Sequence, residues 1–137
     1  TNKVKYVARA AHAFHALHRL DVARELSKRR ADAPLPCYVE VNVGGEQSKS
    51  GLAPEALGPF LEEVRTLPGL RLEGLMTLPP PTEDLEQARG YFRQLRELAR
   101  AQGLTGLSMG TTHDFELAIE EGASIVRVGT AIFGERS

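Results

Sequence analysis

The chain is poor in the features that would commit it to several large classes of protein. It contains one cysteine, Cys37, so no disulfide framework forms within it. A lone Cys ahead of an apolar strand reads as a buried, inert thiol. No apolar run approaches the roughly 20 residues that a membrane span requires, and no signal-peptide pattern opens the sequence. Neither sign of charge dominates: 17 Lys and Arg stand against 18 Asp and Glu, for a net charge of −1. The tightest basic cluster, Lys28-Arg29-Arg30, falls at a predicted helix end, where cations suit the macrodipole. A basic stripe interleaved with aromatics is missing, so a nucleic-acid face is not expected. What is present, 137 residues of which 42% are hydrophobic and 26% charged, suffices for one soluble core. The cytoplasm is the expected compartment.

Short apolar runs alternate with segments of helical period. Ala13 to Leu17 predicts a weak strand, followed by a helix capped at Asp21 and running to about Ala31. Cys37 to Val43 predicts a strong strand, rich in Val and Tyr. Pro54 suits the first turn of the next helix, in which Leu57, Phe60, Leu61 and Val64 recur at helical spacing. Leu70 to Met76 is the third strand. After Pro79-Pro80-Pro81, Thr82 is the expected cap of a long helix with Leu85, Ala88, Phe92, Leu95 and Leu98 on one face, ended by Gly103. Leu104 to Leu107 is the fourth strand, Thr112 caps a helix that stops at Gly122, and Ile125 to Val128 is the fifth. Such βα units, repeated without a linker, imply one domain over 1–137 with a parallel sheet and helical crossovers. An open doubly wound sheet and a barrel both fit that alternation.

The end of the chain tilts the choice. Leu107-Ser108-Met109-Gly110 and Ile125-Val126-Arg127-Val128-Gly129-Thr130 are short apolar runs that end in small or hydroxylated residues before a predicted helix. Laid side by side, they bring backbone N–H groups, Ser and Thr hydroxyls and two helix N-termini together, which is a phosphate site. In (β/α)8 barrels such a site forms from the loops after the seventh and eighth strands plus a short extra helix. Here that helix is expected to begin near Ala131. Five strands do not close a barrel of eight, so about three βα units are expected to precede Thr1.

These segments resemble the pyridoxal 5′-phosphate (PLP) homeostasis proteins, whose single domain is similar to the N-terminal barrel of alanine racemase. The resemblance is carried by Thr1-Asn2-Lys3, by Val41-Asn42-Val43 with Ser48-Lys49-Ser50-Gly51, and by Gly74-Leu75-Met76. Ser108-Met109-Gly110 and the run from Val126 to Gly134 complete it. It implies a (β/α)8 TIM-barrel of the alanine racemase N-terminal type, present as roughly its last five βα units. It also implies PLP as the cofactor, bound by Ser108, Met109, Gly110, Thr112, Arg127, Gly129 and Thr130. Arg127 would face the pyridine nitrogen. The family's cofactor lysine lies upstream of the matched segment, and none of Lys3, Lys5, Lys28 or Lys49 occupies its position. The chain departs from the family at Thr111-Thr112, where Met-Ser is usual. The implied function is a non-catalytic carrier and buffer of PLP, monomeric, with PLP-dependent apoenzymes as partners. The other reading is a fragment of a fold-type III amino-acid racemase or decarboxylase, which would add a second, β-rich domain.

Several residues admit plainer readings. The segment from Ser108 to Thr112 also fits a helix cap with a tight turn, and Gly129-Thr130 a strand-ending turn. Arg127 interrupts an apolar strand, where a charge is either paired or functional. The run from Val41 to Ser50 superficially suggests a nucleotide-binding loop, but that pattern needs Gly directly before the Lys, where this chain has Ser48. Lys49 reads equally as an anion-attracting or a solvated loop lysine. His12, His15 and His18 lack a Cys or carboxylate to complete a metal set, and no metal is expected. Asp114 and Glu116 are expected to serve a helix dipole, and Glu120 and Glu121 to be solvated.

Overall fold

The computed structural model describes residues 14–30, 32–45, 50–128 and 131–134. β1 (Phe14–Leu17) leads to α1 (Leu20–Arg29), and β2 (Leu35–Glu40) to α2 (Leu57–Arg65). β3 (Leu70–Met76) leads to α3 (Leu85–Ala101), and β4 (Gly106–Ser108) to α4 (Phe115–Glu120); β5 (Ile125–Val128) and β6 (Ala131–Gly134) follow. All the strands form one sheet whose spatial order repeats the sequence order. The first five pair in parallel. That order decides between the two architectures. A doubly wound sheet reverses at a switch point, whereas here every crossover steps the same way. Right-handed crossovers then lay all the helices on one face, which is how a (β/α) barrel winds.

The two faces of the sheet differ in chemistry because side chains alternate along each strand. Leu35, Cys37, Val39 and Val41 join Leu75, Leu107 and Val126 in the apolar core beneath the helices. α2 fills that core with Leu57, Phe60, Leu61 and Val64, and α3 with Ala88, Phe92, Leu95 and Ala99. The intervening residues, Tyr38, Glu40, Met76, Gly106, Ser108 and Arg127, lie on the opposite, inner face. Room for the Tyr38 ring there comes from Gly106, where an added Cβ would meet Tyr38 Cε2 at 3.0 Å.

Three helix starts differ from expectation, each by two residues. Asp84, not Thr82, caps α3: its carboxylate accepts from the N–H groups of Glu86 and Gln87, while Thr82 Oγ1 accepts from Asp84 N–H. Arg19 rather than Asp21 occupies the N-cap of α1, and Asp21 sits in the first turn, paired with Arg19 at 2.7 Å. α4 begins after Asp114, not Thr112. Leu85, expected on the buried face of α3, is 64% exposed; as the first helical residue it lies short of Ala88, where the buried stripe begins.

Two further expectations are corrected. Ala131–Gly134 is not a short helix but a strand, antiparallel to β5. Ala-Ile-Phe suits a pleated edge, and pairing there satisfies the outer edge of β5. Glu121 is not solvated. It is 4% exposed and accepts hydrogen bonds from Arg89, Arg93 and Arg96, fastening α3 to the end of α4. Burial works to raise the Glu121 pKa, but the hydrogen bonds from Arg89 and Arg93 outweigh it and hold the carboxyl below the ordinary range.

Candidate functional site

β4 and β5 lie side by side, joined at Ser108↔Ile125. Beyond the register pair, Met109 N–H donates to the Ile125 carbonyl at 3.0 Å and Arg127 N–H to the Gly110 carbonyl at 2.9 Å. The two segments singled out in the sequence therefore meet at one end of the sheet, with Ser108 and Arg127 both on the inner face. Ser108 is 1% exposed, and its carbonyl accepts from Thr77 N–H at 3.1 Å, tying β4 to the end of β3. Thr77 in turn donates its hydroxyl to the Val41 carbonyl at 2.8 Å, so the ends of β2, β3 and β4 are locked together.

Gly110 is required by the geometry. Its φ is +107°, and an added Cβ would stand 2.7 Å from Ala118 Cβ and 3.2 Å from Val126 Cγ1. Glycine here lets the chain turn from β4 toward α4 at positive φ while packing closely under the Ala118 and Val126 side chains. Met109 contributes differently: its side chain is buried in the core and its N–H is held by Ile125. Thr111 directs both its N–H and its hydroxyl to Asp114 Oδ1, and Thr112 is exposed beside it. α4 has six residues, so its macrodipole is short and the loop N–H groups carry more of any anion binding.

Arg127 is half-buried, with no side-chain hydrogen bond or ion pair to another described residue. Burial lowers its pKa and the Glu40 carboxylate acts in the opposite direction. Glu40 was missed in the sequence, although the signal is there. Val39-Glu40-Val41 puts a charge inside a strand of a parallel sheet, and such sheets are covered on both faces. It is 3% exposed; Oε1 lies 3.5 Å from His18 Nδ1, and Oε2 has no hydrogen-bond partner among the described residues.

The β2–α2 loop returns to this end as well. Asn42 N–H donates to the Leu52 carbonyl and Leu52 N–H to the Glu40 carbonyl, while Asn42 Oδ1 accepts from Gly44 N–H. Gly129, Thr130 and Lys49 lie outside the described residues, as does His12. Among the described residues, no three His, Cys, Asp or Glu side chains converge on a metal position. No helix among them is long and apolar enough to cross a membrane.

A singly wound parallel sheet with Ser108 and Arg127 on its inner face and the Gly110 turn at one end defines a domain of the (β/α)-barrel type. Comparison with known proteins narrows this. The alanine racemase N-terminal domain family matches residues 2–137. A pyridoxal phosphate homeostasis protein from Aquifex aeolicus is 47% identical over 99% of the chain and 63% of its own length. One from Pseudomonas aeruginosa is 46% identical over 99% of the chain and 61% of its own length. The structure of PipY from Synechococcus elongatus PCC7942 with PLP bound superposes with a TM-score of 0.78 at 26% identity, covering 87% of the chain and 59% of PipY. The chain belongs to the alanine racemase N-terminal domain family. It spans about three-fifths of the length of the relatives it matches.

Proposed function

We propose that the protein of which this chain is part binds PLP and carries or buffers it in the cytoplasm, without turning over a substrate of its own. The observation that carries this reading is the Arg127–Gly110 backbone link. It joins the backbone of Arg127, an inner-face residue of β5, to the Gly110 turn that follows the buried Ser108. The residues present fit the phosphate and ring of PLP. Ser108, the Gly110 turn and Thr112 offer neutral donors for a dianion, with Gly129 and Thr130 as the second half of that cradle. Met109 packs beneath it. Arg127 stays protonated, so it would donate to an unprotonated ring nitrogen rather than supply a proton. PLP serves enzymes as an electron sink, and that contact weakens the sink without by itself separating a carrier from a racemase. The covalent anchor, a lysine, is assigned to the part of the relatives that this chain does not match, so the chain alone should hold PLP weakly.

The test is a PLP titration of this chain beside the full-length protein, with borohydride trapping and peptide mass mapping. Trapping of one PLP by the longer protein alone, on a lysine outside this chain, supports the reading. Stoichiometric trapping at Lys49 overturns the site assignment. Racemization or decarboxylation of an amino acid above background by the full-length protein overturns the carrier role.

A further inference from the structure

The geometry points to Glu40 as a positioning residue for Arg127, the two forming a separated charge pair across the inner face of the sheet. This rests on the proposed role of Arg127 for its consequence in binding, but not for its structural part.

Register places the pair. Glu40 on β2 is the partner of Met76 on β3, Met76 of Ser108 on β4, and Ser108 of Ile125 on β5. Bridge partners share a face, so these residues make one row around the inside, and Arg127 stands one inward position beyond Ile125. Glu40 and Arg127 thus face the same space from strands that are not neighbours. They feel one another electrostatically, yet no ion pair within 4.0 Å joins them.

A carboxylate in such a place needs a reason. Removing it from water is costly unless its oxygens are paired, and Oε2 has no hydrogen-bond partner among the described residues. His18 does not supply the compensation: it is 40% exposed, its Nδ1 also lies 3.0 Å from the Ala16 carbonyl, and it is a cation only when protonated. Arg127 is the permanent cation whose field reaches Glu40. The relation is reciprocal, because the half-buried guanidinium has Glu40 as its one attractive charge among the described residues. The backbone at Gly51 lies close behind the stem of Glu40. At Gly51, with φ of +93°, an added Cβ would lie 3.0 Å from Glu40 Cγ and 2.9 Å from Asn42 N. A buried carboxylate, opposite a long flexible cation with no other charged partner among the described residues, draws that cation inward and limits its orientations. The gap between them is where the ring of a bound ligand would receive the Arg127 donor.

The test has an arm independent of PLP. In the full-length protein, the Arg127 side-chain Nε–Hε resonance is recorded without ligand for the native protein, Glu40→Gln and Glu40→Asp, with Arg127→Gln providing the assignment. Glu40→Gln should shift or broaden that signal, and Glu40→Asp should restore most of it. PLP affinity, read from the absorption band of the bound cofactor, should fall about tenfold in Glu40→Gln, the scale of one charge-assisted contact. In an Arg127→Gln background Glu40→Gln should cost nothing further. An unmoved Arg127 signal in a folded Glu40→Gln protein overturns the inference, and so do additive losses in the double variant. If Glu40→Gln does not fold, Glu40→Asp carries the same two readings, and an unmoved signal there is equally decisive. A shifted signal in a native protein that binds no PLP leaves the Glu40–Arg127 coupling standing and defeats the proposed function instead.

Discussion

Arg127 N–H donates to the carbonyl of Gly110 at 2.9 Å, and this bond sets the most charged residue of β5 against the one glycine turn that leaves β4 toward a helix. Both residues are thereby fixed to the same end of the sheet.

Gly110→Ala should disturb that junction from both sides. The substituted residue would have to hold a φ of +107° with its Cβ 2.7 Å from Ala118 Cβ. A loss of about 2–3 kcal/mol in urea-induced unfolding is expected, the range for overpacking combined with backbone strain. Native stability in this variant would show that α4 moves away freely and that the turn is not a fixed part of the site.

Glu121 makes stability depend on acid. Its folded pKa is depressed, so its contribution is complete above the ordinary glutamate range, about 4.3, and is lost as the pH falls through the lower folded value. Glu121→Gln should be less stable than the native chain near neutrality, and the gap should shrink below about pH 4.5. Urea midpoints at several pH values between 7 and 3 read this directly. A gap of constant size down to pH 3 would show that the three arginines do not act through its charge.

Cys37 should behave as a core residue. It has no exposed surface, and burial, with the nearby Glu73 charge, pushes its thiol up to about 11. At pH 8 the thiol stays protonated, so a thiol reagent should fail to label the native chain and should label it fully in urea. Rapid native labelling would mean that β2 opens locally.

Asp84→Ala removes the two hydrogen bonds that start α3 and should cost about 1 kcal/mol, with Thr82→Ala costing less. Equal losses would mean that the turn from Thr82 to Gln87 acts as a single unit.

How much of this was legible beforehand depends on the range of the interaction involved. Phe60, Leu61 and Val64 declare a buried helix face because the period of the helix is local, and the structure buries all three. The paired ends of β4 and β5 could be read because each segment carries its own pattern of apolar residues followed by Ser, Gly or Thr. Caps were less legible: Thr82 and Asp84 are both competent, and only the backbone path selects the carboxylate. Ala131 to Gly134 was misread because a short apolar segment fits a helix or a strand equally, and the free edge of β5 settles it. Glu121 was misread because late acids on a helix usually meet water, and nothing local announces three arginines arriving from α3.

The sequence by itself determined the alternation of strands and helices, the apolar faces that must meet, the inert setting of Cys37 and the need for glycine in the turn after β4. Each follows from periodicity, side-chain chemistry or the intrinsic freedom of glycine. Only the tertiary structure decided that the sheet winds one way, that Glu40 and Arg127 lie on one face of it, and that Leu52 and Thr77 hold the strand ends. Those relations join residues dozens of positions apart, and strand order and register, which no local pattern encodes, bring them together.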